Sequence, residues 1–374
     1  MRTEGDFIKI NECLIPLSWI YGLGVRFRNL LFDTGVLKSR CFDVPVISVG
    51  NITVGGSGKT PHVEYLVRLL HRDMKVAVLS RGYKRKSHGY VLAAEDTPMR
   101  DIGDEPYQIK HKFEDVVVAV DRNRCHGIDC LLSDEQTHDV DVILLDDAFQ
   151  HRYVRPGINI LLVDYHRLII YDRLLPAGRL REPKEGTSRA DIVIVTKCPH
   201  DLNPMEFRVL RRAMNLFPYQ DMFFTTIDYC GLRQTYGKRQ IQLGNIGKST
   251  NVLLLTGIAS PQQLIVDVQP YVNCIVPMSF GDHHAFTKND LENVSQVFES
   301  MSSPKIIITT EKDSVRLKEG EGLSKEAKDN LFILPIEVKF MQDGEEIFNE
   351  KIISYVRKNS RNSILAKAKD DHSS

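Results

Sequence analysis

Apolar, β-branched runs alternate with helix-like stretches along the first half of the chain. Val44–Val49, Lys75–Leu79, Val116–Val120, Val140–Leu145, Asn159–Val163 and Asp191–Thr196 are near-continuously apolar, the pattern of parallel strands covered on both faces. Strands separated by helices predict a doubly wound α/β sheet. After about residue 220 the rhythm restarts. Phe223–Asp228, Asn251–Thr256 and Lys305–Thr309 read as strands, with a helix from about Pro261. The pattern predicts a first domain over 1–225 and a smaller α/β domain over 226–340. Phe332–Phe340 is expected to pair with Phe223–Asp228 as a two-stranded connector. A last helix, Glu346–Lys358 within 341–374, is expected to return to the first domain, and the polar tail from Arg357 is expected to fray.

The N-terminal segment differs from the rest. Leu14–Phe32 has no acidic residue and holds the chain's single Trp, Trp19, with Arg26 and Arg28. Leu17, Ile20, Tyr21, Gly24, Phe27 and Leu31 fall on one helical stripe, and Pro16 fits a helix start. On this pattern alone, a helix packed on its own domain is favoured over one lying in a bilayer interface. No stretch has the apolar length of a membrane-spanning helix.

The first apolar run leads into Gly50-Asn51-Ile52-Thr53-Val54-Gly55-Gly56-Ser57-Gly58-Lys59-Thr60. A strand, a glycine-rich turn and a helix start are the parts of a phosphate-binding loop. Backbone N–H groups of Thr53–Lys59 would curl around phosphate oxygens. Lys59 would reach the β/γ-phosphates and Thr60 would ligate Mg²⁺. The helix from about Pro61 to Leu70 would turn its positive end to the anion. The strict pattern asks for Gly at the position of Thr53, so the loop is a variant.

Further polar groups gather at predicted strand ends. Val142–Leu145 ends in Asp146-Asp147, where a carboxylate holds Mg²⁺ in nucleotide-dependent enzymes; a plain turn is the alternative. His151 follows, either a surface residue or a partner of Asp146 or phosphate. Asp104, in Gly103-Asp104-Glu105-Pro106, reads as a helix N-cap or as a carboxylate that accepts a proton from an attacking hydroxyl. Arg81 opens a basic loop at a strand end, and Arg173, Arg179, Arg181 and Arg189 form a second basic region suited to gripping phosphate. Asp282-His283-His284 precedes a helix-capping sequence, Thr287–Asp290.

Composition narrows the classes. The 374 residues hold 49 Lys+Arg and 49 Asp+Glu, so no global field points to nucleic acid. Seven scattered cysteines show no zinc spacing and fit a reducing compartment. The N-terminus lacks the basic-then-apolar order of a secretory signal.

Taken in order, Val49–Pro61, Ser80–Tyr83, Gly103–Pro106, Leu145–His151, Leu175–Pro183 and Asp282–His284 make the chain resemble the tetraacyldisaccharide 4′-kinases, the lipid A 4′-kinases of Gram-negative bacteria, over about residues 10–345. Thr53 matches that family's own loop; Ala148 stands where the family more often has Gly. The resemblance implies a P-loop NTPase-type fold and transfer of the γ-phosphate of ATP, with Mg²⁺, to the 4′-hydroxyl of tetraacyldisaccharide 1-phosphate. It makes Asp104 the base, assisted by His283. Asp146 and Asp147 match the second acidic motif. Arg81, His151 and Glu182 line the site, and Asp282 supports it. It also implies a peripheral enzyme on the cytoplasmic face of the inner membrane, which turns the Leu14–Phe32 stripe toward a membrane role. No nucleic-acid or obligate protein partner is implied. Two competitors remain: a nucleotide-dependent switch, against which the missing Asn-Lys-x-Asp counts (Val195-Thr196-Lys197-Cys198 is a partial echo), and a kinase for a soluble sugar or nucleoside, which has no use for the Trp19 stripe.

Overall fold

The computed structural model describes residues 10–258, 261–281 and 284–360. The chain divides into two compact units, residues 1–227 with 338–374, and residues 228–337.

The first unit contains, in order, α1 (Ile15–Asp33), β1 (Val46–Gly50), α2 (Lys59–Leu70), β2 (Val76–Ser80), β3 (Val91–Leu92), α3 (Met99–Ile102), α4 (Asp104–Lys112), β4 (Val117–Val120), α5 (Arg124–Ser133), β5 (Val142–Asp146), β6 (Ile158–Asp164), β7 (Ile192–Thr196), α6 (Pro204–Met214) and β8 (Asp221–Tyr229). The second unit holds β9 (Leu232–Gln234), β10 (Gln240–Ile241), β11 (Asn251–Thr256), α7 (Gln262–Val268), β12 (Cys274–Ser279), α8 (Lys288–Ser300), β13 (Lys305–Thr309), α9 (Glu311–Glu319), α10 (Lys325–Asp329) and β14 (Leu331–Ile333). β15 (Ile336–Phe340) and α11 (Gly344–Asn359) bring the chain back to the first unit.

The large sheet has the order β15-β8-β7-β6-β1-β5-β2-β4-β3. β1 pairs in parallel with β5 on one side and β6 on the other. The chain therefore winds outward in both directions from β1, and the carboxyl end of β1 is the switch point where such sheets take ligands. Every residue of β1, β5, β6 and β7 is buried, because helices cover both faces. On one face Val63, Leu66 and Val67 of α2 and Phe348, Ile352 and Val356 of α11 pack over Ile47 and Val49; on the other Ile128 and Leu131 of α5 pack near Val46. The smaller sheet, β10-β9-β14-β13-β11-β12, is parallel through β14, β13, β11 and β12.

The expected strand Phe332–Phe340 is two strands. Pro335 has no N–H to donate to a ladder, and the run divides there: Leu331–Ile333 joins the smaller sheet and Ile336–Phe340 the larger. Only the second piece lies beside β8.

α1 is oriented by its small residues. Ser18 Oγ donates to Leu174 O at 3.0 Å and accepts from Ala177 N–H at 2.9 Å. A Cβ on Gly22 would stand 2.6 Å from Leu174 Cδ1, and Phe32 is buried. Leu17, Ile20 and Phe27 of the expected stripe, with Trp19, Leu23 and Leu30, face outward, and Trp19 is 73% exposed; Tyr21, also of the stripe, donates its hydroxyl to Arg181 O at 2.6 Å. The helix is packed on its domain, but mainly through Ser18, Gly22 and Phe32, which lie off the stripe. No helix among the described residues is long and apolar enough to cross a membrane.

Candidate active site

The phosphate loop joins β1 to α2. Gly58, at φ +82°, is the N-cap, and Lys59 and Thr60 are the first two helical residues. The left-handed turn at Gly58 suits a residue without Cβ. Inside the loop, the buried Asn51 donates from Nδ2 to Ser57 Oγ at 2.8 Å. From outside, Val54 N–H bonds Arg179 O at 2.8 Å, and Arg181 N–H bonds Ile52 O at 2.7 Å. The Leu175–Pro183 motif thus forms a wall of the loop.

β5 lies beside β1, so its carboxyl end falls next to the loop. Lys59 Nζ is 3.6 Å from Asp147 Oδ1, and Arg181 Nη1 is 3.3 Å from both Asp147 oxygens. Burial opposes the Asp147 charge, but Lys59, Arg181 and Arg124 outweigh it and hold the carboxyl below its usual value. Asp146 takes the other direction. Burial, then Asp147 and Glu105, push it up to about 6 against the pull of Lys59 and Arg124. Its Oδ2 accepts from Ser80 Oγ at 3.2 Å, and Oδ1 is buried without a hydrogen-bond partner. Two adjacent acids thus have separated proton affinities because burial, Asp147 and Glu105 dominate at Asp146, while Lys59 and Arg181 dominate at Asp147, which leaves the strand at φ +47°.

The raised Asp146 affinity has a sign. A carboxyl whose pKa rises from 3.8 to about 6 on folding contributes stability below pH 3.8 that is lost as pH passes 6. Asp146→Asn removes this dependence. The variant is expected to be more stable than the parent by roughly 3 kcal/mol at pH 8 and about half that at pH 5. Paired thermal melts without nucleotide check this; an advantage that does not change with pH would contradict it.

The other expected residues fall as follows. Asp104 is not an N-cap: Gly103, φ +92°, caps α4 and Asp104 is its first residue. A Cβ on Gly103 would meet Tyr83 O at 2.9 Å, so the Ser80–Tyr83 loop presses on the start of α4. Glu105, the next residue, is near enough to influence Asp146, which places this turn beside the strand ends. Arg81 is exposed at the end of β2. His151 makes no hydrogen bond to Asp146. Burial, with Arg124, Arg28 and Arg81, lowers its pKa to about 4, and its buried Nε2 has no partner. Glu182 is a brace: its carboxylate accepts from Arg189 Nη2 at 2.8 Å and from Gln150 Nε2 at 3.1 Å, while Gln150 Nε2 also bonds Asn51 O at 2.6 Å. Of the four arginines expected to grip phosphate, Arg181 and Arg189 are engaged with Asp147 and Glu182. Asp282 and His283 lie outside the described residues. His284 bonds Asp290 at 2.9 Å and stacks on Phe280, within the Thr287/Asp290 capping box that the sequence predicts.

Sequence reading passed over Arg124. It is 2% exposed and donates to Asp121 O at 2.9 Å and Asp146 O at 3.0 Å, which ties the ends of β4 and β5 together. The available signal was Asp121-Arg122-Asn123-Arg124 at a strand end. Burial lowers its pKa to about 10, so it stays charged.

A variant phosphate loop at the switch point, with a lysine facing a strand-end carboxylate, marks a P-loop nucleotide-binding protein. The sequence profile of the Tetraacyldisaccharide-1-P 4'-kinase family matches residues 10–356. A tetraacyldisaccharide 4'-kinase of Phocaeicola vulgatus is 59% identical over 362 residues, 96% of this chain and 99% of that one. One of Bacteroides fragilis is 49% identical over 99% of this chain and 100% of its own. The crystal structure of LpxK from Aquifex aeolicus in complex with ATP superposes with a TM-score of 0.68 at 31% identity, covering 92% of this chain and 98% of that one. The chain belongs to the tetraacyldisaccharide 4′-kinase family, and it is an ATP-dependent kinase of that family.

Proposed function

We propose that this chain transfers the γ-phosphoryl group of ATP to the 4′-hydroxyl of tetraacyldisaccharide 1-phosphate, giving lipid IVA in lipid A biosynthesis. The observation that carries the reading is the facing of Lys59 and Asp147 across the adjacent ends of β1 and β5, in a chain of this family. A switch protein would use the same loop, but membership of a kinase family does not favour it.

Lys59 and the loop N–H groups hold the β- and γ-phosphates. Asp104 accepts the hydroxyl proton as the 4′-oxygen bonds phosphorus and the bond from phosphorus to the ADP oxygen breaks. Arg81 draws the phosphorylated acceptor toward the strand ends. Transfer of this kind depends on positioning and charge neutralisation more than on covalent help. The donor set suits Mg²⁺. Asp146 offers an unpartnered buried oxygen, Thr60 a hydroxyl in the first helical turn, and Asp147 a second carboxylate. No cage of three His, Cys, Asp or Glu side chains is present among the described residues; Mg²⁺ usually takes one or two carboxylates plus substrate phosphates. When bound, the ion neutralises charge on the β- and γ-oxygens. The test is transfer of radiolabelled γ-phosphate from ATP to detergent-solubilised tetraacyldisaccharide 1-phosphate. Phosphate release without labelled lipid would overturn the assignment.

The outward face of α1 supports peripheral binding to the cytoplasmic face of the inner membrane. An acylated acceptor lies at a bilayer surface, and Trp19, Leu23 and Phe27 are exposed large apolar side chains on a helix with Arg26. Replacing these three with serine leaves the docking residues Ser18, Gly22 and Phe32 in place. Vesicle binding is expected to weaken roughly a hundredfold, from about 1 kcal/mol of partial burial per side chain. Activity in detergent micelles is expected to change little. Equal sedimentation of parent and variant with liposomes would exclude an interfacial α1.

A further inference from the structure

The partial echo of a guanine-reading motif at Val195–Cys198 has a different place in this fold. β7 ends at Thr196, two strands from β1, and its last residues reach the back of the phosphate loop. Thr196 Oγ1 donates to Ser57 O at 3.0 Å. Lys197 Nζ donates to Gly56 O and to Asp164 Oδ2, the latter at 2.7 Å. Lys197 adopts φ +57°, a backbone conformation that L side chains rarely take. Asp164, at the end of β6, is itself fixed, since its Oδ1 accepts His166 N–H at 2.9 Å. The third anchor comes from α2. His62 is buried, with Nδ1 2.7 Å from Gly58 O and Nε2 3.1 Å from Thr225 Oγ1. A carbonyl only accepts, so Nδ1 carries the proton and Nε2 accepts from the threonine. Burial lowers this pKa to about 4, so the neutral tautomer persists at neutral pH.

Three consecutive carbonyls of the loop, those of Gly56, Ser57 and Gly58, are therefore each held by a side chain from outside the loop or from the helix below it. In a planar trans peptide the C=O of one residue and the N–H of the next point in opposite directions. Anchoring the carbonyls of Ser57 and Gly58 aims the N–H groups of Gly58 and Lys59 away from the anchors, toward the side on which phosphate is cradled. The Ser57 N–H is engaged with Gly55 O at 3.1 Å.

We propose that Thr196, Lys197 and His62 are positioning residues that hold the phosphate loop from behind in its nucleotide-receiving shape before ATP arrives. The inference rests on the reading of residues 53–60 as the ATP phosphate loop. Without the anchors the loop must be ordered at the moment of binding, so the loss falls on ATP and spares the lipid acceptor.

The test uses Thr196→Val and Lys197→Met in the full chain, with a fluorescent ATP analogue for binding and lipid phosphorylation for kinetics. Thr196 is 1% exposed, and valine keeps its volume while removing the donor to Ser57 O. Each variant is expected to raise the Kd and KM for ATP roughly tenfold, with the KM for lipid within about twofold. Thr196→Ser, which keeps the hydroxyl, is expected to restore most of the affinity. Unchanged ATP affinity in both variants overturns the proposal. So does a lower folded fraction with normal ATP affinity per folded molecule, the mark of a merely structural role. Failure of the parent chain to bind ATP would overturn the loop reading and the proposal together.

Discussion

Lys59→Ala is expected to lower kcat/KM for lipid phosphorylation about a thousandfold, with little change in melting temperature. Lys59 opens α2 and its side chain is 18% exposed, 3.6 Å from Asp147. On the proposed reading it is a positive charge placed where negative charge accumulates on the transferring phosphoryl group. Removal of one preorganised donor in such a position typically slows turnover 10²–10³-fold, and here a full charge is lost with the donor. The fold should tolerate the change because Arg181 still faces Asp147 from the other side. Lys59→Arg is not expected to rescue activity, since a planar fork does not replace a compact ammonium between loop and carboxylate. A rate within threefold of the parent, measured as γ-phosphoryl transfer to purified lipid, would contradict the phosphate-loop assignment.

The sequence carried the large sheet well for a physical reason. β1, β5, β6 and β7 are buried on both faces, so their residues are nearly all apolar, and each run ends where the site begins. Misreadings cluster where that condition fails. Pro335 divides an otherwise continuous run. β12, unrecognised as a strand, is an edge strand that holds Pro277 and is largely unburied, so neither its composition nor its pattern announces it. β3, β9 and β10 are only two or three residues long. Periodicity grouped Leu17, Ile20 and Phe27 on one side of α1 but did not say which side docks. That was decided by Ser18 and Gly22 against Leu174, a contact between small residues and a distant loop.

The same distinction holds in the site. Lys59, Thr60, Asp146 and Asp147 were legible because each sits in a short motif attached to a strand. The ties that give them their geometry were not. Arg124 to Asp146, His62 to Thr225 and Thr196 to Ser57 join positions 22, 163 and 139 residues apart. None of these leaves a local pattern. Glu182 carries the converse lesson. Its motif was recognised, but its place as a brace, bonded to Arg189 and reaching the loop through Gln150, was not.

Asp104→Asn is expected to lower kcat by 10²–10⁴-fold, the usual contribution of a positioned base, while the Kd for ATP changes less than about threefold. Asparagine keeps the size of the side chain and an oxygen that can accept hydrogen bonds, so α4 should start as before from the Gly103 cap. On the proposed mechanism, what disappears is the capacity to take the hydroxyl proton as the 4′-oxygen bonds phosphorus. The position is fixed from two sides. Gly103 packs against the carbonyl of Tyr83, and Glu105 lies close enough to Asp146 to raise its proton affinity. Equal losses in kcat and ATP affinity would point to disturbance of the strand ends, and an unchanged kcat would remove Asp104 from the mechanism. Joining His283→Ala to Asp104→Asn tests the assisting role that the resemblance gives the histidine. If both groups act on one proton, the double variant is no slower than Asp104→Asn alone, since the second loss has nothing left to act on.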